Sequence, residues 1–179
     1  MGWRWVAGYV GGRALNVWKP AEWQRARTQG FDLLPIWVAP GADDAGREVG
    51  TLEGQECVDA LQARGLSGIV VLDVEDGLSP EKYAMGFVDA VHAGSCEVVL
   101  YGTGQTLNGL VQVGFDFWWL AQWPLSGQPV YVVPPDWTLW QFGTGPAADY
   151  NVAQDDFPFA TLTLSDSPSA PSGPPTAEA

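Results

Sequence analysis

Apolar and polar positions along the chain fall into short runs that alternate between two periods. Trp5, Val6, Tyr9 and Val10 make an apolar run closed by Gly11-Gly12, which predicts a strand from Arg4 to Val10. Pro20 to Gln29 predicts a helix, with Pro20 at the first helical position and Gly30 as the stop. Phe31 to Val38 predicts a second strand, although Pro35 removes a ladder donor within it. Glu53 to Arg64, stopped by Gly65, predicts a helix, and Gly68 to Val74 a third strand. Ser79-Pro80 opens the most regular helix. Ser79 reads as its N-cap, Pro80 as its first turn, and Tyr83, Phe87 and Val91 as an i, i+4, i+8 stripe ended by Gly94. Glu97 to Tyr101 predicts strand four, Gln105 to Val111 a short helix, and Phe115 to Trp123 strand five. Trp137 to Phe142 and Asp149 to Val152 predict two further short strands with no clear helix between them.

Strands alternating with helices at this spacing imply a largely parallel α/β sheet, either doubly wound or closed toward a barrel. No G-x-G-x-x-G follows the first strand, and Gly102-Thr103-Gly104 reads as a turn, so a nucleotide-binding sheet loses its main support. A full (β/α)₈ barrel usually needs at least about 200 residues. With 179 residues, the chain fits a reduced or incomplete TIM-like barrel of about seven strands. Its seam is expected near Trp140 and Asp149. Residues 1–160 form that barrel domain, and 161–179 form a Ser/Pro-rich tail that lacks the apolar content to fold by itself. The tail reads either as a solvated end or as a tether to a larger assembly such as a phage particle.

Composition narrows the function. The net charge of −13, with only eight Lys and Arg, argues against nucleic acid and against an anionic membrane surface. No apolar run is long enough to span a bilayer, and Met1-Gly2-Trp3-Arg4-Trp5 lacks a signal-peptide pattern. The expected location is therefore the cytoplasm until release, or a phage particle. A single His and two Cys leave no zinc set, no cofactor is implied, and Cys57 and Cys96 read as two buried thiols. Asp43-Asp44 and Asp155-Asp156 read as solvated loop acids, and His92 as a surface residue late in its helix. Ten Trp residues are unusual, and indole suits both a core and a sugar face. Trp3, Trp5, Trp18 and Trp23 read as packing residues; of the adjacent Trp118 and Trp119, which face opposite sides of their strand, Trp119 is assigned to a groove.

The chemistry concentrates in Ile69-Val70-Val71-Leu72-Asp73-Val74-Glu75-Asp76. A buried strand there ends in alternating carboxylates. Asp73 and Glu75 share a face, with Cβ atoms roughly 6.5–7 Å apart. That spacing lets two carboxyls divide acid and base work on a glycosidic bond. Like-charged neighbours and apolar walls should raise the pKa of Glu75, as a proton donor requires. Arg4 and Arg13 are the basic residues whose pairing with Glu75 would undo that.

Further blocks follow in series: Tyr9-Val10-Gly11-Gly12, Leu34-Pro35-Ile36-Trp37-Val38, Leu72-Asp73-Val74-Glu75, Tyr101-Gly102, Trp119-Leu120-Ala121-Gln122-Trp123, Trp140-Gln141-Phe142 and Asp149-Tyr150-Asn151. In this order the chain resembles the lysozyme-like glycoside hydrolases of family 25 and the related glycoside-hydrolase-like domains of actinobacteria and their phages. The resemblance implies a flattened, incomplete barrel that cleaves the link between N-acetylmuramic acid and N-acetylglucosamine in peptidoglycan. It implies Glu75 as proton donor, Asp73 as the acid that orients the substrate's acetamido group, and Asp149 as a further active-site acid. It also implies Tyr9, Tyr101, Trp119, Gln122, Trp123 and Gln141 as substrate-binding or supporting residues. One departure stands out. The family's first strand carries an Asp in a G-x-D pattern, whereas this chain has no acid before Glu22. Two readings follow: a peptidoglycan-directed hydrolase, or an inactive barrel that binds cell-wall glycan or serves as a structural virion component.

Overall fold

A computed structural model describes residues 5–39, 46–74, 80–121, 138–144, 149–153 and 156–162. In chain order these form β1 (Trp5–Gly12), α1 (Pro20–Thr28), β2 (Asp32–Val38), α2 (Arg47–Gln62), β3 (Leu66–Ser67), β4 (Ile69–Asp73), α3 (Glu81–Ala93), β5 (Glu97–Gly102), α4 (Gly104–Gly109), β6 (Phe117–Ala121), β7 (Leu139–Thr144), β8 (Asp149–Ala153) and β9 (Thr161–Leu162). One seven-stranded sheet has the order β1-β2-β4-β5-β6-β7-β8, and β3 pairs with β9 beside it. Every neighbouring pair in the large sheet is parallel except the antiparallel β7–β8 hairpin.

The sheet is curled into a half-barrel. β1 and β6 stand four strand steps apart, which in a flat sheet would be roughly 19 Å at ~4.8 Å per step. Yet the rings of Trp5 on β1 and Trp119 on β6 meet edge to face with centroids 5.7 Å apart. The curl encloses an apolar interior, plugged toward the strand N-termini by Trp5, Phe117, Phe157 and Phe159. β1 and β8 are the two end strands of the sheet, and no ladder joins them among the described residues. Among the described residues, the strands carrying Trp140 and Asp149 form one margin of the half-barrel.

β4 is buried along its whole length, as expected of a central parallel strand covered on both faces. Pro35 is tolerated inside β2 because β4 pairs only with Ile36, Trp37 and Val38, so the missing N–H falls before that ladder begins. On the outer face α2 and α3 pack at backbone distance. A Cβ at Gly50 would be driven into the carbonyl oxygen of Tyr83, and one at Gly86 into that of Arg47. Between these helices and the sheet, Glu53 Oε2 accepts from Trp37 Nε1 at 3.1 Å and from the Tyr83 hydroxyl at 2.7 Å. Burial, reinforced by this carboxylate, pushes the Tyr83 phenol far above its ordinary value of 10.0. Cys57 and Cys96 are buried free thiols, and burial likewise pushes the Cys57 thiol well above 9.0.

The elements follow the sequence pattern with local shifts. α2 starts at Arg47, six residues before the expected Glu53, because Gly50 and Gly54 are contact points for α3 rather than breaks. α3 starts at Glu81 with Pro80 in the cap position, and Ser79, expected as the cap, lies outside the described residues. Tyr83, Phe87 and Val91 are fully buried. Thr103 caps α4 by accepting from Thr106 N, so Gly102-Thr103-Gly104 is a strand-to-helix turn. Trp23 is fully buried against Trp18, and His92 is exposed with Nε2 at 2.8 Å from Asp116 Oδ2. Asp156 is exposed; Trp3, Asp43, Asp44, Asp155 and the tail from 163 onward lie outside the described residues.

Candidate active site

The site expected at the C-terminal ends of the strands is assembled by register. Asp73 is opposite Tyr101, and Tyr101 is opposite Trp119, so one row across β4, β5 and β6 carries an acid, a phenol and an indole on the concave face. Trp5, on the same concave side, meets Trp119, while Trp118 alternates to the outer face. Further along, Gln141 on β7 is opposite Asn151 on β8. Two hydrogen bonds tie the rows together. The Tyr101 hydroxyl donates to Gln141 Oε1 at 2.5 Å, and Trp119 Nε1 donates to Asn151 Oδ1 at 3.1 Å. Tyr101 and Trp119 also stack edge to face at 4.9 Å.

The backbone around Asp73 is fixed from both sides. Ala39 N donates to Asp73 O at 2.9 Å, and Val74 N donates to Tyr101 O at 3.1 Å. Asp73 and Gln141 are each 3% exposed, as is Trp119. Burial of a carboxyl and an amide at a strand end is unusual, since such groups are tolerated inside only when their polar atoms are satisfied. Trp119 does face the concave side as assigned, but it forms the floor under the site and not an open wall. Tyr9 is half-buried on β1, opposite Ile36, and its carbonyl accepts from Trp18 N at 2.8 Å. It lies one pleat below the Asp73 row, because Ile36 pairs with Val71 and Val38 with Asp73.

The structure therefore brings together Asp73, Tyr101, Trp119 and Gln141 and places Tyr9 one layer below. Asp149 is the first residue of β8, with its backbone opposite Thr144. Glu75, Gln122 and Trp123 lie outside the described residues, as does the side chain of Asp149. Sequence reasoning had not assigned Asn151 a part. Its signal is the D-x-N alternation, which puts Asn151 two residues after Asp149 on the same strand. Arg13 is exposed. Among the described residues no group of three or more His, Cys, Asp or Glu is placed to hold a metal ion.

No family model matches the sequence, and no curated protein matches it. Solved structures do. The catalytic domain of endolysin ply40, from bacteriophage P40 of Listeria monocytogenes, superposes with a TM-score of 0.65 at 17% identity, covering 85% of this chain and 82% of that one. The chain has a lysozyme-like fold. A bacterial lysozyme from Streptomyces coelicolor matches with a TM-score of 0.55 at 18% identity, over 90% of this chain and 81% of that one. A Tat-secreted protein of Mycobacterium tuberculosis, solved with L-tartrate, matches at 0.64 and 15% identity over 84% of each chain.

Proposed function

We propose that this protein is a peptidoglycan-directed glycoside hydrolase of the lysozyme type, in keeping with a phage origin. The observation that carries the reading is the buried Asp73, held at the end of β4 beside the Tyr101–Gln141 and Trp119–Asn151 pairs. Its fold is shared with an endolysin catalytic domain and a bacterial lysozyme. In this mechanism Glu75 gives its proton to the glycosidic oxygen as the C–O bond breaks. Asp73 orients the substrate's acetamido group, whose oxygen attacks the anomeric carbon, so no protein nucleophile is needed. Water then opens that intermediate and returns a proton to Glu75. Asp149 is the further acid, while Tyr9, Tyr101, Trp119, Gln122, Trp123 and Gln141 bind the glycan or support those that do. Release by lysis or carriage on a phage particle would bring the enzyme to its substrate. No helix among the described residues is long and apolar enough to cross a membrane.

The test is Glu75→Gln on purified bacterial cell walls, followed by release of reducing ends. An amide cannot donate the proton, so turnover should vanish. Equal release by both proteins would remove Glu75 from the mechanism. The second reading, an inactive glycan-binding barrel or virion component, draws on one observation: β1, Trp5–Gly12, contains no acid. It is favoured if wall binding survives Glu75→Gln while neither protein releases sugar.

A further inference from the structure

Charge is distributed very unevenly along this chain. Residues 1–31 hold five of the eight basic side chains and a single acid, Glu22, a local charge of +4. Residues 32–179 hold the other three basic side chains and twenty acids, a charge of −17, which leaves the net −13. In the fold the cations between Arg13 and Arg27 run along α1 from the Asp73 end of the sheet, where Arg13 N meets Val38 O, to the start of β2, where Arg27 meets Asp32. Arg13 and Lys19 bound the loop between β1 and α1, and Arg25 and Arg27 occupy the last turn of α1; all four side chains are exposed. Arg64 reaches up from the end of α2, donating from Nε to Trp18 O at 3.1 Å, and so adds a cation beneath the same loop. Among the described residues, Glu22 accepts from Lys19 N at the helix start, and Asp32 lies 3.7 Å from Arg27. Arg13, Lys19 and Arg25 have no ion pair among the described residues.

This basic loop begins beside the candidate active site. Arg13 N donates to Val38 O at 3.1 Å, and Val38 is the register partner of Asp73. We infer that the β1–α1 loop and α1 form a docking surface for a phosphodiester polyanion covalently attached to the cell wall. The inference rests on the wall-directed function proposed above and supplies it with a second contact. The surface is water-exposed and carries Arg13, Lys19 and Arg25, which suits a hydrated polymer of spaced phosphates, and the exposed Leu15 and Val17 project from the same loop. A protein of net −13 would be repelled by such a polymer at long range. At physiological salt, however, the Debye length is about 8 Å, so the nearby cations govern contact and the distant acids are screened. Docking beside the Asp73 end of the sheet brings the glycan that bears the polymer to the site.

The experiment measures sedimentation of the full chain with purified walls, native or stripped of phosphodiester polymer with hydrofluoric acid. Wild type should bind native walls more tightly than stripped ones, with an affinity that falls as salt rises and is competed by soluble poly(glycerol phosphate). The triple variant Arg13→Glu, Lys19→Glu, Arg25→Glu should lose native-wall binding by at least about tenfold, since each lost phosphate contact removes a salt-dependent increment. The milder triple Gln variant should fall between the two, and circular dichroism checks that both remain folded. Equal binding to native and stripped walls, or no change in either triple variant, overturns the proposal. So does equally tight binding to phosphatidylglycerol vesicles, which would assign the patch to lipid. Wild type that binds native walls by these criteria yet releases no reducing ends would sink the hydrolase reading and leave this contact standing.

Discussion

Trp119 Nε1 donates to Asn151 Oδ1 at 3.1 Å across a strand, because Trp119 is on β6, Asn151 is on β8, and β7 runs between them. The bond fixes the indole of Trp119 at the floor of the half-barrel, where Tyr101 and Trp5 meet its ring from two further strands. A residue so enclosed contributes first to stability and only through the floor to any ligand.

Trp119→Ala should therefore lower stability by roughly 3–5 kcal/mol, the usual range for emptying a buried aromatic site. Trp119→Phe keeps most of the ring and loses the donor. Paired with Asn151→Ala in a double-mutant cycle, it should show a coupling of about 0.5–1.5 kcal/mol. Urea denaturation of the four proteins measures both. A Trp119→Ala protein with an unchanged midpoint and a selective loss of glycan binding would show that the indole is an open platform.

The Tyr101 hydroxyl is the donor to a buried Gln141. Tyr101→Phe should destabilise the fold by about 1–3 kcal/mol, because the amide oxygen is left dry and unpaired. Adding Gln141→Leu should recover part of that loss, since an apolar side chain leaves no orphaned acceptor. If the double variant is less stable than the sum of the two singles, the pair is not acting through this hydrogen bond.

How far the sequence foretold this structure depends on what each signal measures. The Tyr83, Phe87, Val91 stripe and the run Ile69 to Asp73 were legible because burial of a regular element imposes a period on its residues. The D-x-E run located Asp73 at a strand end, since the switch from apolar to acidic residues marks where the strand leaves the core. The start of α2 was hidden, because a glycine needed for helix contact looks the same in sequence as a glycine that ends a helix. The burial of Trp119 was hidden too. Alternation gives its face, but the curl that lets Trp5 reach it arises from the whole sheet. Asn151 escaped assignment because its partner lies on a strand that is not its neighbour, so the D-x-N alternation gives its face but not that pair.

Gly50→Ala offers a test in which two rules oppose each other. In a helix interior, alanine is favoured over glycine by about 1 kcal/mol. Here the added methyl would meet the carbonyl oxygen of Tyr83 on α3, which is backbone and cannot rotate away. The helices must move apart, and overpacking of this kind costs about 1–3 kcal/mol or more. Gly50→Ala should therefore be net destabilising, whereas Gly104→Ala, inside the first turn of α4 with only Leu120 at 4.0 Å from the added methyl, should be close to neutral or mildly stabilising. A higher melting temperature for Gly50→Ala would mean that the two helices do not touch there.

Stability should fall steeply in mild alkali, and the sign follows from two buried acids. Burial raises both the Cys57 thiol above its ordinary 9.0 and the Tyr83 phenol above its ordinary 10.0, and for Tyr83 the Glu53 carboxylate acts in the same direction. Below pH 9 both groups are protonated in folded and unfolded chains, so they add no pH dependence. Above those values the unfolded chain releases the protons and the folded chain keeps them. The unfolded state then binds fewer protons, and the free energy of unfolding decreases as pH rises. Each group contributes a slope of about 1.4 kcal/mol per pH unit once its ordinary value is passed. Urea midpoints under reducing conditions, from about pH 8 to about pH 11, should record this loss. Tyr83→Phe removes one of the two groups, so it should flatten the slope above about pH 10 while lowering stability at neutral pH by about 1–2 kcal/mol, since Glu53 Oε2 loses one of its two donors. An identical alkaline slope in wild type and Tyr83→Phe would show that the phenol ionises in the folded protein, and that the packing of α2 and α3 over it admits water.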